Sequence, residues 1–124
     1  MAGFKSKTVC FSIIFSLILF IASSCNSDEK IEKLLRSNDK EDMIEGAYRA
    51  GETGNKKFVP LLLRNAYDPR GTTNLKFKGI SVYQSKMGAL KKILKQEPPV
   101  TITRKPDSLV IKFYTETYIN RFLR

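Results

Sequence analysis

Apolar positions fall into two regimes along this chain. The stretch "TVCFSIIFSLILFIA", ending at Ala22, is almost unbroken, whereas beyond Asp28 apolar residues recur every three or four places, the spacing of one helical face. Ile31, Leu34 and Leu35 predict a short helix ending at Arg36. Asn38, with Glu41 three places on, predicts the capped start of a second helix. Its stripe is Met43, Ile44, Ala47 and Tyr48, and it ends in "Gly51-Glu-Thr-Gly54", where glycine tolerates left-handed geometry. A third helix is expected from Asn55 to Ala66, with Pro60 near its start and Phe58, Leu61 and Leu62 inward. Turn chemistry at "Tyr67-Asp-Pro-Arg-Gly71" opens a polar loop to about Gly79. From Ile80 to Leu94 a longer helix carries Val82 or Tyr83, Met87, Leu90, Ile93 and Leu94 inward, and Pro98 and Pro99 stop it.

The tail reads in two ways. β-Branched residues around "Lys105-Pro-Asp-Ser108" suit a hairpin. Against this, Asp107 is a good helix cap, and Val110, Phe113, Tyr114, Thr117, Tyr118 and Phe122 keep helical offsets over a stretch longer than most strands. The helix is the preferred reading, and the expected fold is all-α.

The first regime has three zones: Lys5 and Lys7, the apolar run, and the small residues "Ala22-Ser23-Ser24" before Cys25. That is the layout of a secretory signal. A membrane-spanning helix needs about 20 apolar residues, and the acidic chain from Asp28 blocks extension of this run. "Ala22-Ser23-Ser24-Cys25" resembles the lipobox of bacterial lipoproteins, with Ala22 where leucine is usual. The resemblance implies cleavage after Ser24 and acylation of Cys25. Ordinary secretory cleavage would cut the same bond, but would leave a lone thiol at the first mature position. Cys10 leaves with the signal, so no cysteine pair remains for a disulfide. Two or three acyl chains, at about 0.8 kcal/mol per buried methylene, would hold the protein to a membrane. The expected organisation is a signal peptide over 1–24, a lipidated tether over 25–30 and a helical domain over 31–124. The expected address is the bacterial cell envelope, at the outer membrane. "Asn26-Ser27-Asp28-Glu29-Lys30" also looks like the acidic export signal of surface-exposed lipoproteins; equally, Asp28 and Glu29 suit the first turn of a helix.

The order of elements, with "Gly51-Glu-Thr-Gly54-Asn55" before "Phe58-Val-Pro-Leu-Leu-Leu63" and then "Asp68-Pro69", resembles HEAT-type helical repeats over about 31–94. "Met87-Gly-Ala-Leu-Lys-Lys-Ile93" looks like a second copy of "Ile44-Glu-Gly-Ala-Tyr-Arg-Ala50", and aligning Ala47 with Ala89 gives a period of 42, within the roughly 40–47 of that class. The chain has room for about two and a half repeats where open stacks need three. The resemblance therefore implies a short stack of helix pairs closed by the tail as a cap, or by a partner.

Charge divides the mature chain. From Asn26 to Gly54 there are eight acidic and five basic residues, whereas from Asn55 to Arg124 fifteen basic face four acidic. The second balance attracts acidic proteins, glycans or head groups. No histidine is present, which removes the commonest general base and, with Cys25 acylated, the usual zinc ligands. Asp39, Glu41, Asp42 and Glu45 read as a charged face, and Ser81 reads as a cap before a helix and not as part of an anion loop. No catalytic residue, metal or cofactor is expected, and nucleic acid is disfavoured by export and by the lack of any recognition signature. The expected function is a lipid-anchored protein-interaction module, with Arg70, Lys76, Lys78, Lys86, Lys91 and Lys92 as partner contacts. Two alternatives are an anionic glycan or polymer binder and a membrane-anchored immunity or inhibitor protein.

Overall fold

The structure, a computed structural model, describes residues 27–124. The segment 1–24, its cleavage position at Ser24 and the acylation residue Cys25 lie outside the described residues. The chain divides into two compact units, Met1–Lys30 and Ile31–Arg124. The second is all-helical. A helix over 27–36 (α1) leads into α2 (Lys40–Thr53), a 3-10 turn (Lys56–Phe58), α3 (Val59–Leu63), a second 3-10 turn (Leu75–Phe77), α4 (Val82–Leu94) and α5 (Ser108–Phe122).

Local chemistry sets the boundaries. The cap of α2 is Asp39, one place beyond the expected Asn38, and its carboxylate accepts from the Glu41 N–H at 2.7 Å. Three competing bonds explain the shift. The Asn38 carbonyl accepts from the Arg70 guanidinium at 3.2 Å, and the Glu41 carboxylate turns outward to Thr72 and the Thr73 N–H and does not fold back on the cap. Gly54, at φ 65°, ends α2 in the left-handed region, and its N–H donates to Ala50 and Gly51. The expected single helix over 55–66 is broken. Pro60 cannot donate, so the turn before it winds tighter, with Asn55 as cap and the Val59 N–H on the Lys56 carbonyl. The helix then stops at Leu63, where Arg64 is extended and Asn65 takes a left-handed φ of 49°. Ser81 caps α4 through the Gln84 N–H at 3.0 Å. Asp107 caps α5 through the Leu109 N–H at 2.9 Å, so the tail is a helix and not a hairpin.

Packing is most extensive between α2 and α4. Ile44 shares a cluster with Val82, Gly51 abuts Ala89, and Glu52 pairs with Lys92. The contacts advance together along both helices, so the two run in the same direction. Small residues permit the approach: a Cβ on Gly51 would lie 3.2 Å from the Ala89 Cα. The main core joins Ile31 and Leu35 of α1, Ala47 and Ala50 of α2, Phe58, Val59 and Leu62, Tyr83, Met87, Leu90 and Leu94 of α4, and Val110 and Tyr114 of α5. Tyr114 anchors α5 against the end of α4 by donating to the Gln96 carbonyl at 3.0 Å. Phe122, expected on the inward stripe, is exposed, with the Lys56 ammonium 4.9 Å from its ring centre.

The polar loop between α3 and α4 is an ordered strap. The Asp68 and Arg70 carbonyls accept from the Tyr83 and Val82 N–H groups, both at 2.9 Å, and the Thr72 N–H donates to Ile80 at 3.0 Å. With Glu41 holding Thr72 and Thr73, the strap ties the start of α2 to the start of α4. Gly71 and Ser81 form an isolated antiparallel bridge.

Candidate functional site

α2 and α4 leave a groove between their outer edges because the residues that bring them together are small. Ala47, Gly51, Gly88 and Ala89 line it with Tyr48, Ile80, Gln84, Ser85 and Lys92, enclosing about 170 Å³ bounded mostly by carbon. Nothing lies within 4 Å of a Cβ placed on Gly88, so the groove continues over that position. The Gln84 side-chain oxygen is buried in the wall without a hydrogen-bond donor. A buried acceptor without a partner costs about 1–3 kcal/mol, a cost that an incoming N–H would remove.

Tyr48 forms the lip. The sequence stripe places it inward, but it is 46% exposed, because Met43, Ile44, Ala47 and Ala50 already fill the buried face of α2. Its ring leans on Phe77 at 6.0 Å between centroids. Lys76 and Lys92 stand 5.6 and 5.5 Å from its centre, where an ammonium is attracted to the ring face. Lys76 also pairs with Glu45 at 3.6 Å, and Lys92 with Glu52 at 3.0 Å. Leu75, on the same 3-10 turn as Lys76 and Phe77, is 92% exposed.

The six expected contact residues are thus not one surface. Lys76 and Lys92 come together at Tyr48. Lys91 pairs separately with Glu97 at 2.9 Å. Lys78 caps the second 3-10 turn in a left-handed conformation. Arg70 is a structural clamp, gripping Asp68 at 2.8 Å while reaching the Asn38 carbonyl. Lys86 is a correction: it is only 1% exposed, and its ammonium donates to the Arg64 carbonyl at 2.9 Å. Its stem is buried while the nitrogen reaches a polar atom, as long cationic side chains commonly do.

Electrostatics around the strap follow from these contacts. The Arg70 hydrogen bonds hold the Asp68 carboxyl below its ordinary pKa against the opposing effect of burial. Burial pulls Lys86 below the usual ammonium value; Asp68 opposes that, and Arg64 and Arg70 reinforce it. Burial also pushes the Tyr114 hydroxyl up to about 12. Among the described residues, no group of three or more His, Cys, Asp or Glu side chains is placed to hold a metal, and no helix is long and apolar enough to cross a membrane.

Sequence reasoning missed the groove because glycine and alanine carry no chemical signal. The repeated "Gly-Ala" pairs at 46–47 and 88–89 were the available clue, since both fall on the two helices that meet. No family model, curated protein or solved structure matches the chain.

Proposed function

We propose that the protein is an exported, lipid-anchored protein-interaction module without catalytic activity, held at the bacterial cell envelope by acyl chains on Cys25 and presenting the α2–α4 groove to a protein partner. The observation that carries the interaction is the groove itself. A carbon-lined slot, an exposed tyrosine flanked by two lysines and an unpartnered buried acceptor combine the apolar anchor, aromatic rim and polar handle of protein-binding sites. The signal-like run before Cys25 supports the anchor. A short HEAT-like stack fits the same reading: α2 and α4 carry the two copies of the motif and run in the same direction, as equivalent helices of successive repeats would, with α5 as the cap.

A protein partner is favoured over an anionic polymer because Arg70, Lys76, Lys91 and Lys92 already face Asp68, Glu45, Glu97 and Glu52. The test is photocrosslinking in intact membranes from a photoreactive phenylalanine at position 48. A discrete adduct that disappears when Gly88→Leu fills the groove supports the proposal. Adducts unchanged by Gly88→Leu, or none at all, reject it.

A further inference from the structure

On another part of the molecule, where the end of α1, the start of α2, the end of α3 and the strap meet, lies a cleft of about 80 Å³. Its lining is unlike that of the groove: Arg36, Arg64, Arg70 and Lys86 supply four cations, and Ser37, Asn38 and Asn65 supply polar groups. Asp68 is the one carboxylate in the lining, and Arg70 engages it through both Nε and Nη. Asp39 and Asp42 lie outside the lining, one capping α2 and the other accepting from Ser37 at 2.9 Å.

Subtracting these internal pairs leaves three cations. Among the described residues, the Arg36 and Arg64 guanidiniums line the cleft without a hydrogen bond or ion pair. Lys86 is buried, and its ammonium makes one hydrogen bond, to the Arg64 carbonyl. An ammonium carries three donors, so two are unused at a position where burial makes leaving them unsatisfied costly. Asp68 attracts the ammonium, and Arg64 and Arg70 repel it. Three arginines and a single carboxylate, itself gripped by Arg70, share the lining with this buried cation, so the opening beside it carries a positive balance complementary to an anion.

We infer that this cleft binds a compact oxyanion, a phosphate or sulfate group, with the Lys86 ammonium at its floor and Arg36 and Arg64 closing on it from the rim. The guanidinium fork matches the spacing of two oxyanion oxygens, and Lys86 contributes a point charge. The volume admits one tetrahedral group or a few waters and excludes a folded polymer segment. The group is either a free ion or the terminal phosphate of a larger molecule. The site is separate from the groove and does not depend on the function proposed for it.

The test uses the full chain in detergent micelles, titrated with sodium phosphate and sodium sulfate against sodium chloride at matched ionic strength, and read by thermal unfolding and by amide chemical shifts of residues 36–38 and 64–70. Arg36→Gln and Arg64→Gln lie on the exposed rim and keep the fold, whereas Lys86→Met risks it. Lys105→Ala with Lys112→Ala controls for general charge. The expected result is saturable stabilisation with localised shifts, weakened at least tenfold by Arg36→Gln with Arg64→Gln and unchanged by the control pair. Methyl phosphate binding as well as or better than inorganic phosphate identifies an attached group as the source; inorganic phosphate binding alone identifies the free ion. Stabilisation no greater than chloride gives, equal responses in both double variants, or binding only to anionic vesicles and to neither oxyanion would overturn the inference.

Discussion

Individual residues here are chosen as much for what they leave out as for what they add. Gly46 sits where a Cβ would come within 2.9 Å of the Leu34 Cβ and 3.0 Å of the Leu35 backbone nitrogen, so α1 can cross α2 only over a bare backbone. Gly88, in contrast, faces open space. The two glycines therefore respond oppositely to the same change. Gly88→Ala raises stability by about 0.5–1 kcal/mol, the helix-propensity gain, whereas Gly46→Ala lowers it by about 1–3 kcal/mol through overpacking; urea denaturation of both variants measures the contrast. Asp68 behaves by a different rule. Its folded pKa lies below the ordinary value of 3.8, so its contribution is fully present above that value and is lost as pH falls through the lowered folded value. Acid titration of stability should show a loss in that window that Asp68→Asn abolishes, with Asp68→Asn less stable than the parent at neutral pH.

At the scale of elements, the sequence announces whatever rests on local chemistry. The caps at Asn55, Ser81 and Asp107 were legible because a short polar side chain before an apolar stripe has one economical use, and the tail is a helix because its offsets persist from Val110 to Tyr118. What was not legible depends on contacts between distant segments. Arg70 was read as a surface cation, but a strap folded onto the Asn38 carbonyl turns it into a clamp. Lys86 was read the same way, and only the packing of α4 against the end of α3 shows why a lysine is inside. The break at Pro60 is half legible: the sequence shows a proline near a helix start, but not the tighter turn it forces. α5 is held mainly by Val110 and Tyr114, its two buried residues. Tyr114→Ala should therefore cost about 3–5 kcal/mol and expose the amides of α5 to hydrogen exchange before those of α4. Equal exchange in the two helices would mean that α5 is not a separately docked cap. Tyr114 also sets an alkaline limit. Its hydroxyl stays protonated up to about 12 in the folded chain while the unfolded chain ionises near 10, so stability falls as pH rises between those values, and Tyr114→Phe flattens the fall.

For the whole molecule, the division of labour runs along the chain. A helical body with a groove on one part and a basic cleft on another is the described portion, and the proposed address precedes it. The acidic balance up to Gly54 and the basic balance beyond it are joined within the fold, because Glu41, Glu45 and Glu52 of α2 reach Thr72, Lys76 and Lys92. Two ion pairs, Glu45–Lys76 and Glu52–Lys92, thus join the acidic and basic stretches, and both lysines stand over Tyr48 at the lip of the groove. The proposed function requires the body to be held at a membrane by Cys25. Intact-mass measurement of the protein extracted from the membrane fraction of a bacterial host tests this most directly. The expected product is a chain that begins at Cys25 and is heavier than the polypeptide by two or three acyl chains with a glyceryl link; a membrane-bound chain still carrying residues 1–24, or one beginning at Cys25 with no added mass, rules the anchor out.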